Sequence, residues 1–154
     1  MANKIYLNYE SLIFKNNLLD FGCSFGFFSA YLSKKFKKIY LIELHEKFLN
    51  PGVMIHKKFG NNNYLTLMKH EEDSSYFVDK IRDKIDLFLF FDVLKHIRNL
   101  DYFIKRLKDI ASKDSYVLIS LPTENILYMT LCKFKKEKNH CNRYFEVENI
   151  LKKK

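Results

Sequence analysis

Two acidic residues and one glycine-rich turn have the types and spacing that could do chemistry in this chain. Asp20 ends a short apolar run, and a turn of small residues from Gly22 to Gly26 follows it. Glu43 ends a second apolar run and lies 21 positions after Gly22, near the ~20 expected between a glycine turn and a ribose-binding acid. Glycines let backbone amides approach a ligand, and a carboxylate accepts hydroxyl protons. The pattern predicts half of a nucleotide-binding α/β domain.

Strands must place these residues at one edge of a sheet. Apolar runs predict strands at 18–21, 39–42, 64–68, 85–91 and 115–121. The runs at 85–91 and 115–121 lack polar alternation, which predicts strands buried on both faces. Since helical segments separate the strands, the alternation indicates a parallel sheet with right-handed crossovers.

Helical spacing predicts the segments between the strands. One helix is expected at 27–36 and another at 101–111. Spacings of three and four put four residues on one face of the first helix: Phe28, Tyr31, Leu32 and Phe36. The pair Pro51-Gly52 predicts a break in the chain and a short extended piece at 53–55, and the polar stretch 57–63 predicts a loop.

Acidic residues follow several predicted strands. They are Asp20, Glu43, the cluster from Glu71 to Asp73, and Asp92. Ligands of parallel α/β sheets bind at the carboxyl ends of the strands, beside the switch in strand order. We therefore expect a ligand site at this edge.

These residues resemble the first motif of the class I S-adenosylmethionine-dependent methyltransferases. Asp20, Gly22, Ser24 and Gly26 match its acid and glycine turn, although Ser24 stands where glycine is commoner. The resemblance continues through YLIEL and DLFLFFDVLKHIRNL to the "PT" after the fifth strand. It implies a Rossmann-like three-layer α/β/α sandwich with a mainly parallel five-stranded sheet of order 3-2-1-4-5. The family's final antiparallel hairpin is expected to be missing.

The resemblance also implies S-adenosylmethionine as the cofactor and methyl transfer as the reaction. Asp20 would hold the amino end of the cofactor, Glu43 its ribose and Asp73 its adenine. The implied cofactor-binding residues are Asp20, Gly22, Cys23, Ser24, Gly26, Glu43, Leu44, Asp73, Asp92 and Val93. His96 is the candidate general base, and His140 is a weaker one. Lys95 replaces the acid that precedes this histidine in the family, which argues against a carried-over role for position 95.

Two other enzyme classes share parts of this pattern. The letters GCSFG fit G-x-S-x-G, which in an α/β-hydrolase would make Ser24 the nucleophile, with Asp92 and His140 as its partners. That turn normally follows several strands, whereas this one follows the first. A dehydrogenase that uses NAD shares the strand-turn-helix-acid order, but the G-x-G-x-x-G spacing is missing.

A third alternative is a shortened or degenerate relative that binds cofactor or a partner without catalysis. The sequence ends at Lys154, about where the family continues into its last hairpin. Without that hairpin the fifth strand would be a bare edge, so a partner could cover it.

Length, charge and cysteine content further limit the class of protein. A length of 154 residues predicts a single domain over 1–154. The net charge of +9 is compatible with nucleic acid, but no RNA-binding motif accompanies it. Three cysteines without regular spacing favour a reducing cytoplasm, and Cys132, His140 and Cys141 do not form a recognisable metal motif. No signal peptide or membrane-spanning run is predicted.

Overall fold

The computed structural model describes residues 16–60, 62–68 and 74–120. The strands are β1 (Asn17–Phe21), β2 (Lys38–Glu43), β3 (Tyr64–Met68), β4 (Ile85–Phe91) and β5 (Ala111–Ser120). The α-helices are α1 (Phe27–Leu32), α2 (Glu46–Phe59) and α3 (Leu100–Ile110). Short 3-10 turns cover Ser33–Lys35, Tyr76–Lys80 and Leu94–His96. Among these helices, none is both long and apolar enough to cross a membrane.

The strands form one sheet of order β3-β2-β1-β4-β5, and every neighbouring pair is parallel. The predicted fold class and strand order are confirmed. Asp20 pairs in register with Leu41 of β2 on one side and with Leu89 of β4 on the other. The chain reverses its winding at β1, so Asp20 lies at the switch point of the sheet. The predicted loss of the final hairpin concerns residues outside the described ranges.

Successive residues of β1 enter opposite sides of the sheet, as the pleat requires. On one side Phe21 packs 4.8 Å from Phe103 of α3, measured between ring centroids. On the other side Leu18 joins a layer that includes Leu32 of α1 and Leu49 of α2. Each large apolar side chain buried in this way contributes about 1.5–3 kcal/mol. Helices on both sides therefore hold β1 in the centre of the core.

The first helix is shorter than predicted, and one residue of its predicted inward face is exposed, whereas Leu32 and Phe36 are buried as predicted. It ends at Leu32 and continues as the 3-10 turn Ser33–Lys35. Tyr31 is 49% exposed, so its predicted inward position is wrong. The buried residues of α1 are Ser29, Ala30 and Leu32. Small side chains face inward because α1 packs closely against α2, which apolar periodicity alone does not reveal.

The predicted break at Pro51-Gly52 is wrong, because α2 runs without interruption from Glu46 to Phe59. The extended piece predicted at 53–55 is therefore helical. Pro51 removes one amide hydrogen and its ring crowds the carbonyl one turn earlier, but packing of the face formed by Leu49, Gly52 and His56 retains the helix. A Cβ on Gly52 would lie 3.2 Å from the carbonyl oxygen of Ser24. Gly52 thus allows the helix to approach the backbone of the glycine turn closely and does not form a turn itself. The loop predicted at 57–63 begins only at Gly60, because the helix continues to Phe59.

The last described strand is less buried than predicted. β5 begins at Ala111 rather than at 115, and Tyr116 and Val117 are 40% and 53% exposed. It pairs with β4 alone among the described strands, so it lies at an edge of that sheet. A partner that covers this strand stays a prediction.

Candidate active site

The glycine turn after β1 is tied to the end of β2. The amides of Gly22 and Cys23 both donate to the carbonyl oxygen of Ile42, at 2.8 and 3.0 Å. Gly22 and Gly26 have φ values of +69° and +64°, and Ser24 has +49°. Residues other than glycine rarely adopt this left-handed backbone region, so Ser24 holds a conformation that glycine would adopt more readily.

The turn also packs against the segment that follows β4. A Cβ on Gly22 would lie 2.5 Å from Cγ2 of Val93, a distance that no real contact permits. Val93 is itself buried, with 8% of its surface exposed. The predicted site residues Gly22 and Val93 are thus brought together, and only glycine fits at position 22.

Glu43 closes the turn from the side of β2. One of its oxygens, Oε2, accepts the amide of Ser24 at 2.9 Å, and Oε1 accepts the amides of Leu44 at 2.8 Å and His45 at 3.2 Å. The residue is 7% exposed. A carboxylate offers about four lone-pair sites, so three amides leave capacity for a ligand hydroxyl.

Asp20 lies beneath the same turn and is 3% exposed. The pKa of its carboxyl is raised to about 7, chiefly by burial; a hydrogen bond with Ser29 opposes the shift, and the charge of Glu43 adds to it. Because the buried group titrates near neutral pH, its charge depends on its immediate neighbours. A cation that arrives at the turn would favour the ionised form.

Sequence reasoning missed two residues behind the turn, Ser29 of α1 and His56 of α2. His56 is fully buried, and its Nε2 lies 3.1 Å from the hydroxyl oxygen of Ser29. Burial lowers the pKa of its imidazole, so the ring is neutral near pH 7. Asp20, Ser29 and His56 have the residue types of a hydrolytic triad, but all three are buried. The signal that would have revealed His56 is the helical spacing of positions 49, 52 and 56.

Cys23, another predicted site residue, is an inert thiol. Burial raises its pKa strongly, and the charges of Asp20 and Glu43 raise it further. Cys23 therefore contributes its backbone to the turn and not a reactive thiolate.

The carboxyl end of β4 supplies the remaining described candidates. Asp92 has a φ of +57°, and its carboxylate pairs with Nζ of Lys95 at 2.8 Å. His96 is half-buried at the end of the 3-10 turn, and its amide donates to the carbonyl of Val93 at 3.0 Å. The ion pair gives Lys95 a structural partner. Asp73 and His140 lie outside the described ranges.

This edge therefore presents two buried carboxylates, one at the end of β1 and one at the end of β2, around a turn that admits no Cβ at Gly22. Such a donor set fits a ligand with an amino group and neighbouring hydroxyls. Within the described ranges no group of three or more His, Cys, Asp or Glu residues could hold a metal ion.

Comparison with known proteins gives a matching family model and similar solved structures. A family model described as a methyltransferase domain matches residues 7–151 of the chain. A solved structure of a putative methyltransferase from Bacillus halodurans C-125 has a TM-score of 0.74 at 13% identity, over 99% of this chain and 67% of that one. No curated protein sequence matches the chain.

Two further solved structures were determined with S-adenosylhomocysteine, the demethylated cofactor. Magnesium protoporphyrin IX methyltransferase from Synechocystis PCC 6803 has a TM-score of 0.69 at 16% identity, over 99% of this chain and 70% of that one. The N-methyltransferase NodS from Bradyrhizobium japonicum WM9 has a TM-score of 0.63 at 15% identity, over 77% of this chain and 58% of that one. At these identities the structural likeness shows the fold.

Proposed function

The chain belongs to the methyltransferase-domain family, and from that premise we propose that it transfers a methyl group from S-adenosylmethionine to an acceptor. The observation that carries the proposal is the position of Glu43, whose carboxylate joins the glycine turn to the end of β2. An acid at this place is suited to the ribose of a nucleotide-like cofactor. The neighbouring carboxyl of Asp20 is suited to the amino end of the same molecule.

We assign each end of the cofactor to one part of this edge. Glu43 would accept a ribose hydroxyl through the lone pairs that its three backbone amides leave. Asp20 would act across the glycine turn, directly or through one water, because it is 3% exposed. Asp73 would meet the adenine. The remaining assigned contacts are Gly22, Cys23, Ser24, Gly26, Leu44, Asp92 and Val93.

When bound, S-adenosylmethionine supplies a methyl group that its sulfonium has already activated. The residues of this chain therefore align the acceptor and exclude water, and they remove a proton where the acceptor is a hydroxyl or an amine. His96 is the proposed base, since it lies in the segment after β4 and histidine is the side chain most often used as a general base. The ion pair between Asp92 and Lys95 holds the segment that leads to it.

The proposal includes one domain over 1–154 in the cytoplasm. The free thiol of Cys23 suits a reducing compartment. The net charge of +9 is compatible with an anionic acceptor, without specifying one.

Calorimetric titration of the full chain with S-adenosylhomocysteine tests the proposal. We expect saturable binding with one site per chain, and no competition from NAD. Circular dichroism establishes that the protein is folded, and a folded protein that does not bind would overturn the proposal. Binding without methyl transfer to any offered acceptor would instead favour the shortened, non-catalytic relative.

A further inference from the structure

We propose that the helical layer formed by α1, α2 and the glycine turn binds an anionic membrane surface. Six side chains form the part of this layer that we call the outer face: Phe25, Phe27, Met54, Phe59, Lys57 and Lys58. None of them is assigned to the cofactor, so the inference goes beyond the proposed function and does not depend on it. The exposure of the apolar side chains and the charge around them carry the proposal.

The helices α1 and α2 present one continuous surface, because they pack side by side on the same side of the sheet. A Cβ on Gly60, directly after α2, would lie 2.8 Å from the hydroxyl oxygen of Ser33, which follows α1. At the opposite end, the ring of Phe25 in the glycine turn lies 6.3 Å from Phe27 and 5.6 Å from Phe48 of α2, measured between centroids. Aromatic contacts therefore join the start of α1 to the first turn of α2.

The apolar side chains of the outer face are largely open to solvent. Phe27, Met54 and Phe59 are 63%, 70% and 60% exposed. Among the described residues, five large exposed apolar side chains carry no hydroxyl group; four lie on this face, and the fifth, Val117, belongs to β5. A single exposed apolar residue is ordinary, whereas a group of them on one surface marks a place where another apolar body docks.

The charge of the same layer is almost entirely positive. Residues 22–60 include seven lysines, no arginine and two acids. One acid, Glu43, is buried and accepts three backbone amides, so Glu46 is the exposed acid of this range. The ion pairs of the described residues involve neither Lys57 nor Lys58. A surface of one charge sign attracts a partner of the opposite sign, so the expected partner is anionic.

Two lysines of α2 lie against aromatic rings of this surface. The Nζ atom of Lys58 is 5.1 Å from the centroid of the Phe59 ring, and Nζ of Lys47 is 4.9 Å from that of Phe48. Lysine side chains in such positions can extend their ammonium groups past the rings to reach charged headgroups. A helix that lies on a bilayer has this arrangement, with its rings at the acyl boundary and its lysines at the phosphates.

An anionic bilayer matches both properties, since it offers acyl chains to the apolar side chains and phosphates to the lysines. A nucleic acid would supply phosphates and bases that stack on rings, but Met54, the most exposed apolar residue of the outer face, has no ring. In a two-fold contact between copies of this chain the same patch would face itself, and lysines would lie near lysines. The observations therefore favour the membrane over the other two partners.

Flotation of the full chain with lipid vesicles tests the proposal. One set of vesicles contains equal parts of phosphatidylcholine and phosphatidylserine, and the other contains phosphatidylcholine alone. Met54→Ser combined with Phe59→Ser, the serine pair, removes apolar anchors from the outer face. Lys57→Gln combined with Lys58→Gln removes two positive charges from the same face.

The matched control changes the net charge by the same amount at a distance from the outer face. Lys105 and Lys108 are exposed lysines of α3, which lies on the opposite side of the sheet. Replacing both by glutamine removes two charges from a surface that would face away from the bilayer. Because salt screens charges beyond about 10 Å, this pair should weaken vesicle binding by less than about threefold.

We expect the wild-type protein to bind the vesicles that contain phosphatidylserine and to be released by about 0.5 M salt. Each double variant of the outer face should weaken this binding by about tenfold or more, because it removes either the inserted apolar area or two of the attracting charges. Vesicles of phosphatidylcholine alone should bind much less protein. The affinity for S-adenosylhomocysteine should stay within about twofold of wild type in every variant, since none changes a proposed cofactor contact.

Equal loss of binding in the two lysine double variants would overturn the proposal, because binding would then follow net charge and not the outer face. Unchanged binding of the serine pair would also overturn it, as would folded wild-type protein that does not bind the vesicles, whether or not it binds a single-stranded oligonucleotide. A wild-type dimer that the serine pair converts to a monomer without vesicles would assign the face to a second copy instead. Circular dichroism checks folding, and Met54→Ser alone decides by the same criterion if the serine pair does not fold.

Discussion

The carboxylate of Glu43 accepts the backbone amide of Ser24 at 2.9 Å, and this contact joins the end of β2 to the turn that follows β1 from the side-chain side, as the carbonyl of Ile42 does from the backbone. Two residues 19 positions apart in the chain thus hold the turn against the end of β2. Since the amide belongs to the backbone, the contact depends on the acid and on the left-handed conformation at Ser24, whose φ is +49°. It does not depend on the Ser24 hydroxyl.

Replacement of Glu43 by glutamine should weaken S-adenosylhomocysteine binding by at least about tenfold and destabilise the fold by about 1–3 kcal/mol. The NH₂ group of the glutamine side chain would lie opposite a backbone N–H whose hydrogen bond the carboxylate now accepts, and two donors cannot pair. Calorimetry and urea unfolding measure the two effects. Glu46→Gln, at an exposed acid in the first turn of α2, is the control and should change affinity by less than about twofold. Equal effects of the two substitutions would contradict the assigned role.

A Cβ at position 22 should destabilise the protein because it would meet Val93 at 2.5 Å and because the φ of Gly22 is +69°. We expect Gly22→Ala to cost about 2–4 kcal/mol, of which about 1–2 kcal/mol is backbone strain. Urea unfolding of Gly22→Ala, Val93→Ala and the double variant measures the coupling. Val93→Ala should recover part of the loss. If the losses of unfolding free energy in the two single variants simply add in the double variant, the added Cβ and Val93 are not in steric conflict.

Asp20 should make the protein less stable as the pH rises. Its pKa is about 7 in the folded state and about 3.9 in an unfolded chain. The folded state therefore holds the proton more tightly, and the stability that this gives is complete below about pH 4 and lost by about pH 7. Asp20→Asn should consequently be more stable than wild type at pH 8, by up to about 4 kcal/mol, while it binds S-adenosylhomocysteine more weakly.

Urea unfolding at several pH values measures this difference. Glu46→Gln, at an exposed acid in the first turn of α2, is the control. A difference for Asp20→Asn that stays flat between about pH 4 and pH 7 would exclude a buried carboxyl with a raised pKa.

Ser24→Ala should bind S-adenosylhomocysteine within about threefold of wild type. Only the amide of Ser24 meets Glu43, and alanine keeps it. The substitution also separates the two interpretations of GCSFG, because a hydrolase would lose its nucleophile. Calorimetry with a parallel esterase assay is the measurement. Esterase activity in wild type that disappears in Ser24→Ala would favour the hydrolase.

The strand pattern was predictable because it is local. The run Ile85–Phe91 is a strand with the predicted bounds, and β3 likewise matches its prediction. Asp20 and Glu43 were correctly placed at the ends of β1 and β2 for the same reason, since each directly follows or completes an apolar run. The order of the strands followed from the family resemblance.

The incorrect predictions concern positions at which two helices pack against each other. Pro51-Gly52 has the composition of a turn, yet it is helical because Leu49, Gly52 and His56 pack as one face. Tyr31 has the spacing of a core residue, yet it is exposed because the small residues of α1 face α2. In both cases the packing of a neighbouring helix overrides local propensity.

The sequence by itself determined the elements and the chemistry available at their ends: a glycine turn between two acids on adjacent parallel strands. Only the tertiary structure decided that Val93 fills the space beside Gly22 and that His56 meets Ser29 behind the turn. The physical reason is distance along the chain. Periodicity and turn chemistry act over a few residues, whereas Ser29 and His56 lie 27 positions apart and meet only after α1 and α2 pack on the sheet.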